Sequence, residues 1–182
     1  MPAQHEIQSP SPWVVRWATL IRPGGEVLDV ACGSGRHTRY LAARGCRVLA
    51  VDRDDAALTA LAAVPGVRTQ AADLEAASWP FPPARFDGVV VANYLHRPLF
   101  GDLVAALRPG GVLIYETFMQ GNEALGRPSH PHFLLRPGEL LEVVRERLTV
   151  VAFEQGRVDA PKPAAIQRIC AARVAADSVT IG

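Results

Sequence analysis

The sequence has few cysteines, which disulfide-bonded and zinc-binding proteins need, and it lacks the long uncharged apolar run of a membrane-spanning protein. Its 182 residues include three cysteines, and no two of them form a C-x-x-C pair. A disulfide framework or a bound metal is therefore not expected, and a reducing cytoplasm suits such a chain. No apolar run reaches the roughly 18 uncharged residues that a membrane helix needs. The opening MPAQHEIQSPSP has neither a basic nor an apolar stretch, so no signal peptide is expected.

The net charge is close to zero, and lysine is almost absent. Nineteen basic residues, of which only Lys162 is a lysine, face 18 acidic residues and leave a net charge of +1. This balance excludes a protein that coats nucleic acid by bulk charge, and nucleic acid is not expected as a partner. The length suits one domain over residues 11–175, preceded by a flexible arm (1–10) and followed by a flexible tail (176–182). We expect a monomer or a homodimer.

Short apolar runs alternate with amphipathic stretches along most of the chain. Strands are predicted at 26–31, 47–51, 67–71, 86–92 and 112–117, and helices at 12–21, 36–44, 54–64, 99–107 and 139–147. This alternation predicts an α/β fold with a doubly wound, mostly parallel sheet. The last two predicted strands, 148–154 and 165–174, have only a loop between them, which requires one antiparallel strand. Ligands of such sheets bind at the carboxyl ends of the strands, here loops 31–36, 52–54, 72–80, 92–98 and 117–136.

The most informative motif joins the first strand to its helix. The strand ends Val27-Leu28-Asp29-Val30-Ala31, and Cys32-Gly33-Ser34-Gly35 follows. Gly33 and Gly35 would let the backbone approach a ligand without an intervening Cβ. The loop is not G-x-G-x-x-G, because Thr38 stands at the third glycine position, nor is it a P-loop. A tight turn that binds no ligand is the alternative.

Two further strands also end in a carboxylate. Asp52 ends the second strand, seventeen residues after Gly35. A carboxylate there can accept two hydrogen bonds from a ribose diol. Asp73 follows the third strand, where it could accept from an adenine amino group while the Leu74 N–H serves a ring nitrogen. Three acidic strand ends in this order favour a nucleoside-containing ligand.

The motif series LDVACGSG, AVD, AADL, FDGVVVANYLH and LRPGGVLIYET resembles that of class I S-adenosylmethionine-dependent methyltransferases. The resemblance extends over about residues 25–175 and is greatest to the small bacterial enzymes of the tellurite-resistance type. It implies a Rossmann-like seven-stranded sheet with the last strand antiparallel, and S-adenosylmethionine as the cofactor. It also implies transfer of a methyl group to a small-molecule acceptor. Ala31 stands where the family often has glycine.

The resemblance also implies roles for particular residues. Asp29, Gly33 and Gly35 would shape the methionine pocket, Asp52 would bind the ribose, and Asp73 with Leu74 would hold the adenine. Ala92 or Asn93 would close over the sulfonium. The remaining predicted cofactor-binding residues are Ala31 and Arg53.

The loop after the fourth strand, Asn93-Tyr94-Leu95-His96, faces the predicted cofactor. Methylators of amino groups carry Asn/Asp-Pro-Pro-Tyr at this place, so the departure here disfavours an exocyclic base amine as acceptor. Tyr94 and His96 are candidate catalytic residues, His96 as a base or a hydrogen-bond donor. A packing role for His96 is the alternative.

The stretch 118–136 shows no clean periodicity and is rich in polar residues. A loop of this length inside a compact domain is typically functional. We interpret it as a substrate lid with pivots at Gly121 and Gly126, and Arg127 as a catalytic residue suited to an anionic acceptor. Two histidines without a third ligand do not indicate a metal site. The predicted substrate-binding residues are Glu116, Asn122, His130 and His132.

Three other functions remain open at the sequence level. One is an RNA or protein methyltransferase, although such enzymes usually need a basic face or an added recognition domain. Another is a regulatory protein that binds S-adenosylmethionine without turnover. A dinucleotide oxidoreductase is disfavoured by the glycine spacing.

Overall fold

The computed structural model describes residues 9–175 and Ser178. Most of the predicted arm (1–10) and of the predicted tail (176–182) therefore lies outside the described residues. Within the described part, seven strands form one sheet in the order β3-β2-β1-β4-β5-β7-β6. The strands are β1 (Glu26–Val30), β2 (Arg47–Asp52), β3 (Val67–Ala71), β4 (Phe86–Ala92), β5 (Leu107–Phe118), β6 (Thr149–Val158) and β7 (Ala164–Ala172).

The direction of the strands confirms the predicted fold class. β1 pairs in parallel with β2 and β4, β2 with β3, and β4 with β5. β7 is antiparallel to both of its neighbours, β5 and β6. Because β6 and β7 follow one another with no helix between them, they form a hairpin, and β7 inserts between β5 and β6. The carboxyl ends of β1, β2, β3, β4 and β5 therefore meet at one edge.

Helices cover both faces of the sheet, as a doubly wound fold requires. They are α1 (Pro12–Trp17), α2 (Arg36–Ala43), α3 (Asp55–Thr59), α4 (Phe100–Ala105) and α5 (Glu139–Val144). Trp13 of α1 and Leu41 of α2 are buried against Val90 on one face. Leu103 of α4 and Leu140 of α5 are buried in the cluster on the other face. Both faces of the central strands are apolar because both are covered.

All five of these helices are shorter than the sequence predicted, and α1 ends at Trp17 instead of 21 and α2 at Ala43 instead of 44. α3 ends at Thr59 instead of 64, because the chain continues in tighter turns, in which the Leu61 N–H donates to the carbonyl of Leu58. α5 ends at Val144 instead of 147, since Glu146 has a left-handed φ of 61°. α4 ends at Ala105, and the predicted turn at 108–111 belongs instead to β5.

Among the residues that the structure describes, no helix has the length and apolar character that crossing a bilayer would require. The cytoplasmic location and the monomeric or dimeric state stay predictions.

Candidate functional site

The loop between β1 and α2 is left-handed at three positions. Ala31, Gly33 and Gly35 have φ values of 51°, 52° and 78°. A Cβ at Gly33 would meet nothing within 4 Å, so this glycine leaves open space at the edge of the sheet. A Cβ at Gly35 would lie 2.3 Å from Cδ2 of Leu61. Gly35 is therefore required by the contact between α2 and the segment after α3, whereas Gly33 provides the open backbone that a ligand could approach.

Asp52 joins this loop to the end of β2. Its Oδ2 accepts a hydrogen bond of 2.8 Å from the Gly33 N–H, and its Oδ1 accepts one of 3.0 Å from the Asp54 N–H. Asp54 in turn caps α3 through the N–H groups of Ala56 and Ala57. Because Asp54 makes the cap, the carboxylate of Asp52 is held at the edge of the sheet, as predicted from its place at the strand end. A carboxylate has four lone-pair sites, so two donors do not exhaust its capacity.

Asp29 lies deeper than the other strand-end carboxylates. Its side chain is buried, and Oδ2 accepts a hydrogen bond of 2.6 Å from the Thr38 hydroxyl. Burial raises the pKa of Asp29 from 3.8 to about 6, while the Thr38 hydrogen bond opposes this shift. A cation that binds nearby would stabilise the ionised form of a carboxylate buried in this way.

Asp73 organises the turn after β3. Its Oδ1 accepts hydrogen bonds from the N–H groups of Glu75 (3.0 Å) and Ala76 (3.1 Å). The Leu74 side chain is buried in the core. This turn fixes the Asp73 carboxylate and brings Glu75 to the same edge of the sheet.

A cavity of about 210 Å³, here named the β1–β2 cavity, lies beside these strand ends. Six of the predicted site residues line it: Ala31, Asp52, Arg53, Asp73, Leu74 and Tyr94. Ala72 and Glu75 line it as well and were not predicted. The structure therefore brings together half of the ten residues predicted to bind the cofactor, with Tyr94, a predicted catalytic residue, beside them.

A second cavity of about 290 Å³, the β4–β5 cavity, adjoins the first, because Glu75 and Tyr94 line both. Asn93, which has a left-handed φ of 56°, lines this second cavity, although it was predicted to bind the cofactor. The cavity residues that sequence reasoning missed are Leu95, Thr117, Phe118, Pro128 and Phe133. Thr117 and Phe118 could have been predicted from their position at the end of the fifth strand.

Tyr94 lies at the junction of the two cavities. Its carbonyl oxygen accepts a hydrogen bond of 2.9 Å from the hydroxyl of buried Tyr115. Burial, together with the neighbouring carboxylates of Glu75 and Asp73, raises the pKa of the Tyr94 hydroxyl above its ordinary value. Tyr94 therefore stays protonated near neutral pH and can act as a hydrogen-bond donor.

Glu116 and His96 are among the predicted site residues that line neither cavity. Glu116 is nearly buried in β5, and its Oε2 is 3.5 Å from Nη1 of Arg168 in β7. The Arg168 guanidinium also stacks on the Trp13 ring, so this ion pair belongs to the face that α1 covers. His96 immediately precedes the single turn Arg97–Leu99 and lines neither cavity.

The stretch 118–136 is held to the sheet at both ends. Met119 N–H donates to the carbonyl of Ala165, and Leu135 N–H donates to the carbonyl of Phe118. Asn122 is buried: its Oδ1 accepts from the Ala165 N–H (3.1 Å), and its Nδ2 donates to the Pro128 carbonyl (2.8 Å). Both ends of its amide are thus engaged within the protein, and Asn122 is placed to hold this stretch against β7.

The predicted binding residues in the middle of this stretch are exposed. Arg127, His130 and His132 all face solvent, and the His132 N–H donates to Nδ1 of His130 at 3.3 Å. None of the three lines the β4–β5 cavity, although Pro128 and Phe133 do. Within residues 9–175 and Ser178, no three His, Cys, Asp or Glu side chains converge as a metal site.

Arg97 fastens the second half of this stretch. Its guanidinium donates to the carbonyls of His132 and Leu134, both at 2.9 Å. It also forms two hydrogen bonds, of 2.7 and 3.0 Å, with the carboxylate of Glu139 at the start of α5. Sequence reasoning missed Arg97, which follows directly after His96.

Comparison with known proteins agrees with this arrangement. Residues 27–111 match a protein family described as a methyltransferase domain. Part of the chain is 43% identical over 75 residues to the ribosomal RNA small subunit methyltransferase H of Nostoc punctiforme, covering 38% of this chain and 25% of that protein. The chain spans between a quarter and about two fifths of the length of the curated relatives it matches.

Solved structures share the fold over nearly the whole chain. TehB from Haemophilus influenzae superimposes with a TM-score of 0.76 at 19% identity, covering 90% of this chain and 62% of TehB. The 1,6-didemethyltoxoflavin-N1-methyltransferase of Burkholderia thailandensis was solved with 1,6-didemethyltoxoflavin and S-adenosylhomocysteine bound. It superimposes with a TM-score of 0.68 at 25% identity, covering 90% of this chain and 77% of that enzyme. With the sheet order and the strand-end motifs, these matches confirm that the chain carries a class I S-adenosylmethionine-dependent methyltransferase domain.

Proposed function

We propose that the chain transfers the methyl group of S-adenosylmethionine to a small-molecule acceptor. The observation that carries this proposal is the pair of adjoining cavities that share Glu75 and Tyr94. One is lined by the strand-end carboxylates, and the other opens beneath the stretch 118–136. A cofactor in the first and an acceptor in the second would meet at this shared wall.

The residues of the β1–β2 cavity suit the cofactor chemically. Asp52 would accept from the ribose hydroxyls, Asp73 from the adenine amino group, and the Leu74 N–H would serve a ring nitrogen. The open space at Gly33 leaves room for the methionine portion, whose positive charge would be favoured by buried Asp29. Ala92 and Asn93 at the end of β4 would close the sulfonium end.

The cofactor supplies a methyl group on a positively charged sulfur, and its transfer is an in-line displacement with a neutral leaving group. The protein therefore has to hold the acceptor in line at about 3 Å from the methyl carbon and exclude water. Tyr94, which stays protonated, would donate a hydrogen bond at the shared wall. Glu75 beside it is placed to take a proton when the acceptor loses one.

Calorimetry and thermal shift test the cofactor assignment. S-adenosylhomocysteine at a hundredfold excess over its dissociation constant should stabilise the protein by about 2.7 kcal/mol, and NAD should not. Stabilisation by NAD and not by S-adenosylhomocysteine would reverse the assignment in favour of an oxidoreductase.

Labelled methyl transfer tests the acceptor class. Radiolabelled S-adenosylmethionine would be incubated with the protein and, in parallel, with metabolite fractions, metalloid oxyanions and ribosomal RNA. We expect label in a small molecule. The match to a ribosomal RNA methyltransferase makes RNA the second candidate, and label in RNA alone would favour it. Binding of the cofactor with no transfer to any fraction would favour a regulatory protein.

A further inference from the structure

The lining of the β4–β5 cavity consists of apolar and polar residues. Its apolar members are Leu95, Phe118, Pro128 and Phe133. Among the other described lining residues, none is basic, and Glu75 is the charged member. Apolar walls with a few polar groups are typical of sites for small organic molecules.

Phe133 is held in place with its ring uncovered. Its side chain is 52% exposed, although the adjacent Leu134 and Leu135 are buried. The backbone around it is fixed by Arg97, which binds the carbonyls of His132 and Leu134 on either side. An exposed aromatic ring on a fixed backbone offers a flat apolar surface at little entropic cost on binding.

The charges around the shared wall are mostly negative. Glu75 and Asp73 lie next to Tyr94, and Asp52 lines the adjoining β1–β2 cavity, where Arg53 is the basic lining residue. Arg127 is exposed and lines neither cavity. An anionic acceptor would therefore meet carboxylates at the wall, whereas a hydrogen-bond donor would find Glu75 as its acceptor.

We propose that the β4–β5 cavity takes a planar, largely apolar acceptor that is uncharged or cationic, with an N–H-bearing edge bound by Glu75 and a face stacked on Phe133. This proposal rests on the proposed function, which it narrows to a substrate class. It replaces the anionic acceptor that the sequence suggested through Arg127.

Three probes of the same shape and different charge test which acceptor charge the β4–β5 cavity prefers. Benzamidine, benzamide and benzoate are planar and carry a positive, zero and negative charge, respectively. Their affinities would be measured by ligand-observed NMR with the cavity next to them filled by saturating S-adenosylhomocysteine. We expect benzamidine and benzamide to bind more tightly than benzoate, benzamidine by on the order of tenfold.

Variants locate the source of the preference. Glu75→Gln should reduce the difference between benzamidine and benzoate to about twofold, while Glu146→Gln, at an exposed carboxylate outside both cavities and outside 118–136, should leave it unchanged. Phe133→Ala should weaken all three probes alike. Tightest binding of benzoate, a preference that persists in Glu75→Gln, or no binding of any probe at millimolar concentration would overturn the proposal.

The two proposals fail in different ways. Absence of S-adenosylhomocysteine binding to the wild-type protein would count against the proposed function, whatever the probes do. Normal S-adenosylhomocysteine binding with preferred benzoate would leave the methyltransferase assignment in place and refute only the acceptor class.

Discussion

The N–H of Gly33 donates a 2.8 Å hydrogen bond to Oδ2 of Asp52, so the glycine loop after β1 and the end of β2 are joined through one carboxylate. The group predicted to bind the ribose therefore also positions the backbone predicted to border the methionine portion. A change at Asp52 acts on both parts of the cofactor site.

Asp52→Ala should weaken S-adenosylhomocysteine binding by roughly tenfold to a hundredfold, because hydrogen bonds to a charged acceptor contribute on the order of 1.5–3 kcal/mol. Calorimetry on the folded variant measures this change in affinity. Asp55→Ala is the matched control, since Asp55 is exposed in the first turn of α3 and lines neither cavity. Equal affinities for wild type and Asp52→Ala would refute the assignment.

The two glycines of the loop should respond differently to the same substitution. Gly33→Ala meets open space and should cost about 1–2 kcal/mol of stability from its left-handed backbone alone. Gly35→Ala adds a clash with Leu61 and should cost about 1–3 kcal/mol more. Urea unfolding measures both values. Leu61→Ala is itself destabilising because Leu61 is fully buried, but in a double-mutant cycle it should reduce the cost of Gly35→Ala and leave the cost of Gly33→Ala unchanged. Equal costs for the two glycines would contradict this explanation.

Asp29 should make the protein less stable as the pH rises from about 4 to 6. Its folded pKa is raised from 3.8 to about 6 by burial, so its stabilising contribution is present at lower pH and is lost across that interval. The shift corresponds to about 3 kcal/mol. Asp29→Asn, which still offers Thr38 an acceptor, should remove this loss, as unfolding free energies measured at several pH values would show. Parallel curves for wild type and variant would disprove it.

His37 should have the opposite effect, making the protein less stable as the pH falls from 6.5 to about 4. Burial, and to a lesser extent Arg36, lowers its pKa from 6.5 to about 4, and its Nε2 accepts a 3.1 Å hydrogen bond from the Ser11 N–H. Its contribution is present above pH 6.5 and is lost as the pH falls toward 4, by about 3 kcal/mol. His37→Gln should flatten that loss, and the double variant with Asp29→Asn should show little pH dependence from either group.

Arg97→Ala should loosen the stretch 130–136 and destabilise the protein by on the order of 2 kcal/mol, because buried Glu139 loses both hydrogen bonds from the Arg97 guanidinium and keeps those groups of Arg136 that lie near it. Faster hydrogen exchange at Leu134 and Leu135 would report the loosening. Arg157→Ala is the control, since its ion pair with Asp159 is exposed and should contribute less than about 1 kcal/mol. Unchanged exchange in Arg97→Ala would show that this arginine does not hold the segment.

Much of the fold follows from the chain's periodicity because the central strands are buried on both faces. β3 and β4 have the predicted bounds, and β1 and β2 differ by one residue at their ends. The boundary between α4 and β5 was harder to predict from the sequence. Gly110 and Gly111 resemble a turn locally, but their backbone pairs with Arg173, a partner more than sixty residues away in the chain.

The cofactor half of the site was more predictable than the acceptor half. Asp52 ends β2 and Asp73 follows the end of β3 by two residues, and these positions after parallel strands place both at one edge of the sheet. Glu116 occupies an equivalent position in β5, but its side chain points to the face that α1 covers, where Arg168 pairs with it. Asn122 resembles a binding residue by type, and only the long-range contact with Ala165 shows that its amide is engaged.

The anchoring of 118–136 at Met119, Asn122 and Leu135 divides this stretch into buried ends and an exposed middle. Residues 126–133 contribute almost nothing to the core, yet Pro128 and Phe133 form part of the β4–β5 cavity. Mutations can therefore accumulate in this segment with little effect on folding or on the carboxylates of the β1–β2 cavity. Under the proposed function, exchanging this segment between related chains would change the wall against the acceptor while leaving the core in place.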